Sequence, residues 1–470
     1  MAAACGLESE KSLTAPASAP KLSVVPTLRD SFVEKTTARS KRPIVMVAAC
    51  AFPANWGTPG AIRELSMTLS ELGNDVHVVT YPFGEDLPVG GAKVWRTWFW
   101  RSDFKLHSGP SLVKLVLDFL LIFKLCRVIY RERIEIIHAH NYEGVLIGLV
   151  AKLITGRPLV YNSISLMSNE LNAYGIIKPE FLAHWLARLL DWFVPKFPDR
   201  FIPVSRELET ALISRGVAKE KITFIPCGIR REMFDQANPE QLRIRYQVGT
   251  RPIVIYTGIN SPLQRIDYLL RAFSVAVKRH PESLLMAVSC LEHDPDTEAN
   301  RELAKSLGIH QNVIWVEGQR LNELADYLAL SSVAVLPRPD VAGHPIKLLN
   351  YMASSLPTVS FAGAAKGIEH MREAFIVPDH DWKALGDGII TLLDNPELAK
   401  RMGAKARETV LANFEWVALA KKVENVYEAV RPSLPVTAQT PHRPEFSSDA
   451  LVQAQAKHLA SAAEQVESAS

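Results

Sequence analysis

Two glycine-bearing segments and a pair of histidines carry the residue types that could do chemistry in this chain. Gly57-Thr58-Pro59-Gly60 follows an apolar run and opens a helical pattern, with Arg63 one turn further on. A glycine-containing loop at a helix amino end lets backbone N–H groups approach a phosphate or a sugar hydroxyl, and the helix dipole favours an anion. A plain strand-to-helix turn needs the same glycines and explains the motif as well. Gly343-His344-Pro345 precedes a second helical segment that carries Lys347 and Asn350. Proline suits the first position of a helix, whose free N–H groups form an anion site; Lys347 then reads either as a ligand to that anion or as a solvated charge. His138 and His140 alternate along a strand end, so both side chains lie on one sheet face. With no third ligand at a diagnostic spacing, they read as hydrogen-bonding groups and not as a metal site. Asn162 and Glu170 lie by the end of the next strand, placed to meet a hydroxyl or to cap a helix.

The elements that must position these groups alternate. Residues 43–50, 75–81, 134–140, 158–164 and 200–205 are short apolar strand runs, with a helix over 61–72 between the first two. The pattern restarts after Gly228, with strand runs at 252–259, 284–290, 312–318, 332–337, 356–361 and 374–377. Short apolar strands separated by helices imply parallel sheets covered on both faces. The fold class expected is α/β, two doubly wound domains joined near 228–250. Open parallel sheets bind ligands at the carboxyl ends of their strands, so the chemistry belongs in the cleft between the domains.

Composition excludes several alternatives. The 470 residues are 48% hydrophobic and 22% charged, the balance of an ordinary globular protein. A formal charge of +3 supplies no chain-wide field for phosphates, so no nucleic-acid partner is expected. Cys5, Cys50, Cys126, Cys227 and Cys290 are odd in number and far apart, which writes neither a disulfide framework nor a paired metal site and makes a reducing cytoplasm the default. Residues 1–41 lack the apolar core of a signal peptide, and 433–470 is rich in Pro, Ala, Ser and Gln; both read as disordered tails. Residues 112–129 approach a membrane span in length. Lys114, Asp118, Lys124 and Arg127 interrupt them, and charges near the centre of a span cost about 2.5–3.5 kcal/mol each. A helix packed on a sheet is the first reading; an amphipathic helix on a membrane surface, strengthened by the tryptophans of residues 95–101, is the second.

The order of the segments GRPLVYNSISL, FIPVSRELETALISRGVAKEKITFIPCGI, VIYTGI, NVIWVEG and HPIKLLNYMASSLPTV, closed by Asn395-Pro396-Glu397-Leu398 and Phe414-Glu415-Trp416, resembles the retaining, glycogen-synthase-like glycosyltransferases with two Rossmann-like domains (GT-B). The resemblance covers about 44–430. It implies an acceptor-side domain over 42–228, a nucleotide-sugar domain over 229–415, and a last helix, 416–432, that crosses back to the first domain. It further implies transfer of a sugar from a nucleotide diphosphate to an acceptor hydroxyl with retention, no metal and no cofactor beyond that donor. The partners implied are the donor and a carbohydrate or lipid-linked acceptor in glycan or glycoconjugate biosynthesis, at a cytoplasmic location or at the inner membrane face.

The chain departs from the family pattern where the chemistry would be. The family's two glutamates eight positions apart are here Ala342 and Asn350, so a ribose-binding carboxylate is replaced by an amide that bonds without charge assistance. The usual arginine and lysine for the diphosphate are Ile259 and Gln264, with Arg265 next in line; a frequent histidine is Ile164; and an Asn-Gly-Val-Asp turn reads Cys227-Gly228-Ile229-Arg230. The donor site is therefore expected to use Gly57, Gly60, Arg63, Gly258, Arg265, Gly343, Lys347 and Asn350. His140 and Asn162 are the acceptor-side, catalytic candidates. A non-catalytic glycosyltransferase-like binding protein is the competing reading. A dinucleotide-dependent oxidoreductase fails because no GxGxxG opens the first helix.

Overall fold

The computed structural model describes residues 42–54, 57–98, 112–164, 167, 180–319, 323–339 and 345–430. In chain order the first half comprises β1 (Pro43–Ala48), α1 (Gly57–Glu71), β2 (Asp75–Thr80), β3 (Lys93–Arg96), α2 (Leu112–Arg131), β4 (Ile136–His140), α3 (Asn141–Thr155), β5 (Leu159–Ser163), α4 (Glu180–Phe193), β6 (Arg200–Pro203) and α5 (Arg206–Ser214). Two short helices, α6 (Arg231–Asp235) and α7 (Glu240–Arg245), lead into the second half. There follow β7 (Ile253–Thr257), α8 (Ile266–Arg279), β8 (Leu284–Val288), α9 (Thr297–Ser306), β9 (Val313–Val316), α10 (Leu324–Leu330), β10 (Val333–Leu336), α11 (Ile346–Ala353), β11 (Thr358–Phe361), β12 (Phe375–Val377), α12 (Trp382–Asp394), α13 (Pro396–Phe414) and α14 (Trp416–Val430).

The strands form two six-stranded parallel sheets, ordered β3-β2-β1-β4-β5-β6 and β12-β11-β10-β7-β8-β9. Both have the same doubly wound order, since each reverses direction between its first and fourth strand in sequence. Each reversal leaves a crevice at the carboxyl ends of its two central strands. β1 and β7 are continuous apolar runs because both faces of each sheet are covered by helices. The helices show the complementary pattern: α8 buries Ile266, Leu269, Leu270, Phe273 and Ala276 on one side and turns Lys278 and Arg279 to its carboxyl end. Ser205 caps α5 by accepting from the Leu208 N–H at 3.3 Å.

Each apolar run read as a strand forms one. β3 is the strand that the run pattern misses; Lys93-Val94-Trp95-Arg96 lies half-exposed at the sheet edge and lacks an apolar run. The first helix starts at Gly57, a turn before the expected 61. Residues 112–129 form a helix, α2, whose Leu117, Leu121, Leu125 and Val128 pack on the first sheet.

The last helix crosses back. Trp416, Leu419, Ala420, Val423 and Tyr427 of α14 join Ile44, Met46, Ile62 and Leu65 in one core, each large side chain contributing about 1.5–3 kcal/mol on burial. The two chain crossings are stitched together: the Ile229 N–H donates to the Phe414 carbonyl at 2.8 Å and the Trp416 N–H to the Ile229 carbonyl at 3.1 Å. Gly228 is required here, because a Cβ on it would stand 2.8 Å from the Trp416 ring and 2.9 Å from the Phe414 carbonyl oxygen. Arg230, where the resemblance expects an acid, bridges back to α1 by donating to Glu64 at 3.0 Å and Glu71 at 3.1 Å. Lys366 donates to Glu207 across the domains at 2.7 Å and holds that carboxyl down at about 2.

The tails 1–41 and 433–470, with Phe99 to Arg101, Glu170, Ala342, Gly343 and His344, lie outside the described residues.

Candidate active site

At the switch point of the first sheet, the chain leaving β1 opens α1 with Gly57 at φ +51, and no atom of the described residues lies within 4 Å of the position its Cβ would take. Gly57, Gly60 and Arg63 line a crevice whose other lining residues include Ile346 and Asn350 of α11, Arg230 and Trp416. The crevice therefore lies between the two domains and joins four of the expected donor residues. Arg63 is itself buried, its Nε donating to the Pro88 carbonyl at 2.7 Å and its Nη1 to Glu64 at 2.6 Å. It braces the loop after β2 while presenting to the crevice.

β4 and β5 end side by side, with His140 opposite Asn162 in the register. Burial drives the His140 imidazole down to about 3, against a weaker upward pull from its hydrogen bond with Asn162, so the ring is neutral. His138 lies behind it at 4.4 Å between ring centroids, and is tied through Nδ1 to the Tyr427 hydroxyl at 2.7 Å. The same burial, then the His140 neighbour, keep His138 neutral too. Among the described residues His140 Nε2 has no hydrogen-bond partner, and the ring opens with Asn162 and Ile164 into a second crevice that shares Ala61, Cys227 and Trp416 with the first. A buried polar atom without a partner is costly unless something meets it. A hydroxyl entering this crevice would do so. The two crevices are neighbours, with Ala61, Cys227 and Trp416 common to their walls.

At the switch point of the second sheet stands Lys347. Its ammonium reaches back from α11 over the end of β7 and donates to the Tyr256 hydroxyl and the Gln264 Oε1, both at 2.7 Å. Gly258 makes room for it: φ is +132, and a Cβ there would stand 2.4 Å from Lys347 Nζ. Burial, then the charge of Arg338, pull the Lys347 ammonium down to about 7. An anion arriving there would restore its charge. Asn350 is one turn further along the same helix, facing the crevice. Gln264, at the position where the resemblance expects a lysine, thus holds the tip of a lysine supplied by another helix.

Arg265 stands apart. It occupies the left-handed region at φ +57, forms a two-pronged pair with Asp267 at 2.9 Å for each contact, and stacks on Tyr268 at 3.4 Å. The Asp267 bond raises its pKa, and the guanidinium is spent locally instead of being aimed at the crevice. The roles of Tyr256 and Tyr427 and the Glu64–Arg230 pairing carry no signal in the sequence, because each depends on a partner more than 90 positions away. Among the described residues no group of three or more His, Cys, Asp or Glu side chains could hold a metal ion.

Residues 59–232 match the family described as Glycosyltransferase Family 4, and residues 238–409 match glycosyl transferases group 1. Among curated relatives, the chain is 28% identical over 212 residues to a GDP-mannose-dependent alpha-(1-6)-phosphatidylinositol monomannoside mannosyltransferase of Mycobacterium tuberculosis, covering 43% of this chain and 54% of that protein. The matched stretch thus spans about half the length of that relative. An MMP alpha-(1->4)-mannosyltransferase of Mycolicibacterium hassiacum is 26% identical over 399 residues, 78% of this chain and 93% of its own. Sucrose-phosphate synthase of Thermosynechococcus elongatus superposes with a TM-score of 0.69 at 20% identity, over 83% of this chain and 99% of that one. Anabaena HepE in complex with UDP and glucose superposes with a TM-score of 0.64 at 15% identity, over 82% and 99%. The paired Rossmann-like sheets, the returning last helix and the two family matches, one to each half, make this chain a member of the GT-B glycosyltransferases.

Proposed function

We propose that this protein is an active glycosyltransferase that moves a sugar from a nucleotide diphosphate to an acceptor hydroxyl with retention and without a metal. The observation that carries the reading is the Lys347 ammonium, held over the end of β7 by Tyr256 and Gln264 and brought close by Gly258. In this reading Gly258, Lys347 and Asn350, with Gly343 preceding the helix, bind the donor from the second domain, while Gly57, Gly60 and Arg63 close on it from the first. The acceptor enters by His140 and Asn162, and its hydroxyl attacks on the face from which the diphosphate leaves. Charge develops on the departing diphosphate, so a cation and free N–H groups aimed at it lower the barrier, and no covalent nucleophile is needed. Neutral His140 orients the acceptor by hydrogen bonding.

The GDP-mannose-dependent relative makes GDP-mannose the first donor to test, and the second mannosyltransferase relative keeps mannose as the sugar. A lipid-linked or carbohydrate acceptor, at a cytoplasmic location with peripheral contact to the inner membrane face, completes the proposal. The missing carboxylate at Asn350 favours a second reading, a non-catalytic sugar-nucleotide binding protein. Thermal-shift screening of nucleotide diphosphates and nucleotide sugars, followed by NMR of the anomeric centre in any product, separates the two. A ligand at about 100 times its dissociation constant adds roughly 2.7 kcal/mol to stability. Donor binding with turnover and a retained anomer supports the enzyme, binding without turnover supports the second reading, and an inverted anomer overturns the proposed mechanism.

A further inference from the structure

The helices on one face of the first sheet have the wrong surface for water. α2 turns Leu117, Leu121 and Leu125 into the core, yet its outer side carries Leu115, Val116, Phe119 and Phe123, with Phe119 and Phe123 59% and 60% exposed. Beside it, α3 leaves Leu153 76% exposed, and α4 presents Phe181, Trp185 and Trp192, the first at 72%. A surface helix ordinarily puts charged residues on that side. Here three neighbouring helices put leucines and aromatics there, a patch of the kind that marks an interaction site.

The charges that accompany the patch are cationic. Lys124, Arg127 and Arg131 line a hollow of about 380 Å³ with Trp95 and Trp98. Lys124 Nζ stands 5.7 Å and the Arg131 guanidinium 5.2 Å from the Trp95 ring centroid. On α4 the Lys196 ammonium that follows lies over the Trp192 ring. Among the described residues, Asp118 accepts from the Tyr81 hydroxyl beneath α2, Asp191 accepts from Tyr142 beneath α4 and Glu143 faces Lys114, while Glu132 pairs with Arg131 and offsets one of the hollow's three cations. Among the described residues no helix is long and apolar enough to cross a membrane, so the face would lie on a bilayer and not span it.

We infer that the outer face of α2, α3 and α4 docks this protein on an anionic phospholipid bilayer, with the Trp95–Trp98 hollow taking a lipid phosphate. Exposed phenylalanines and leucines enter the acyl boundary, tryptophans sit at the headgroup level, and the lysine and arginine cluster meets the negative surface. Charge decides against a second copy as the occupant. An isologous pairing would set this cationic hollow against a face whose described acids are already engaged. The inference deepens the membrane contact of the proposed function but does not depend on sugar transfer.

The test is co-sedimentation of the full chain with vesicles of phosphatidylglycerol and phosphatidylcholine, against vesicles of phosphatidylcholine alone. The unaltered protein is expected to bind the anionic vesicles, more weakly as salt rises. Two variants, F119E/F123E and R127E/R131E, are each expected to reduce the bound fraction by about tenfold. All four side chains are exposed or half-exposed, and unchanged melting temperature and unchanged nucleotide-diphosphate binding in both variants keep the outcome readable. Equal binding to both vesicle types, or binding unaffected by both variants, overturns the inference. So does a stable dimer by light scattering that F119E/F123E dissociates, since the face would then be covered by a second copy.

Discussion

The two sheets share one strand order, and both place their candidate residues where that order reverses, yet the chemistry at the two places is opposite. The first sheet ends in two buried, neutral imidazoles, His138 and His140, backed by a tyrosine from the last helix. The second ends in a lysine ammonium poised near neutrality and cradled by a tyrosine and a glutamine. Topology supplies the crevice in both. The residue that follows the strand decides whether the crevice suits a neutral hydroxyl or an anion. The same contrast marks the outer surfaces, for the helices covering the first sheet expose leucines and aromatics while α8 of the second exposes lysine and arginine at its end.

The largest expected effect removes the charge at the switch point of the second sheet. Lys347→Met should lower the rate of sugar transfer by about 10²- to 10³-fold, because the interaction strengthens as the diphosphate departs. Initial rates at saturating donor measure it. If the rate holds, the cation that stabilises the leaving group lies elsewhere.

The pH dependence follows from the same side chain. In the empty site Lys347 titrates near 7, and a bound diphosphate raises that value, so binding takes up a proton once the pH exceeds about 7. Donor affinity is therefore expected to fall as pH rises above 7, by no more than about tenfold per pH unit, and to be flat with respect to this group below it. Isothermal titration across pH 6–9 should show the fall (about one proton taken up at the alkaline end), and Lys347→Met should abolish it.

On the other sheet, Tyr427→Phe removes the partner of a buried histidine. A cost of about 1–3 kcal/mol in unfolding free energy is expected with donor affinity unchanged, read by urea denaturation and nucleotide binding. A loss of donor affinity would show that the two crevices are coupled through the last helix. Arg230→Ala should cost less, about 0.5–1 kcal/mol, since its pairs with Glu64 and Glu71 are partly solvated. Raising salt should shrink the difference. The smallest effect belongs to Arg265→Ala, which should change donor affinity by less than about twofold, because the guanidinium is already committed to Asp267 and Tyr268.

Much of the architecture was legible in the residues. The apolar runs at 43–50 and 252–259 announce buried parallel strands, since a strand covered on both faces has no polar side to display. The glycine loop at 57–60 could be read as a helix opening near a ligand for the same local reason. β3 could not be read, because an edge strand of alternating charge and apolar residues resembles a loop. The place of Arg265 in the chain points to the donor site, whereas its left-handed backbone and the neighbouring Asp267 turn its side chain onto its own helix start.

What the sequence determined by itself is therefore the local part: where strands and helices fall, that they alternate twice, and which loops could meet an anion. Those properties depend on residues within a turn or two of each other. Tertiary structure alone decided which partners the cation and the rings meet. Lys347 reaches Gln264 across 83 positions, and His138 finds Tyr427 across 289. Such partners meet only when two sheets and a returning helix have packed, because the burial that neutralises a histidine or lowers a lysine toward 7 exists only after the crevice has closed around them.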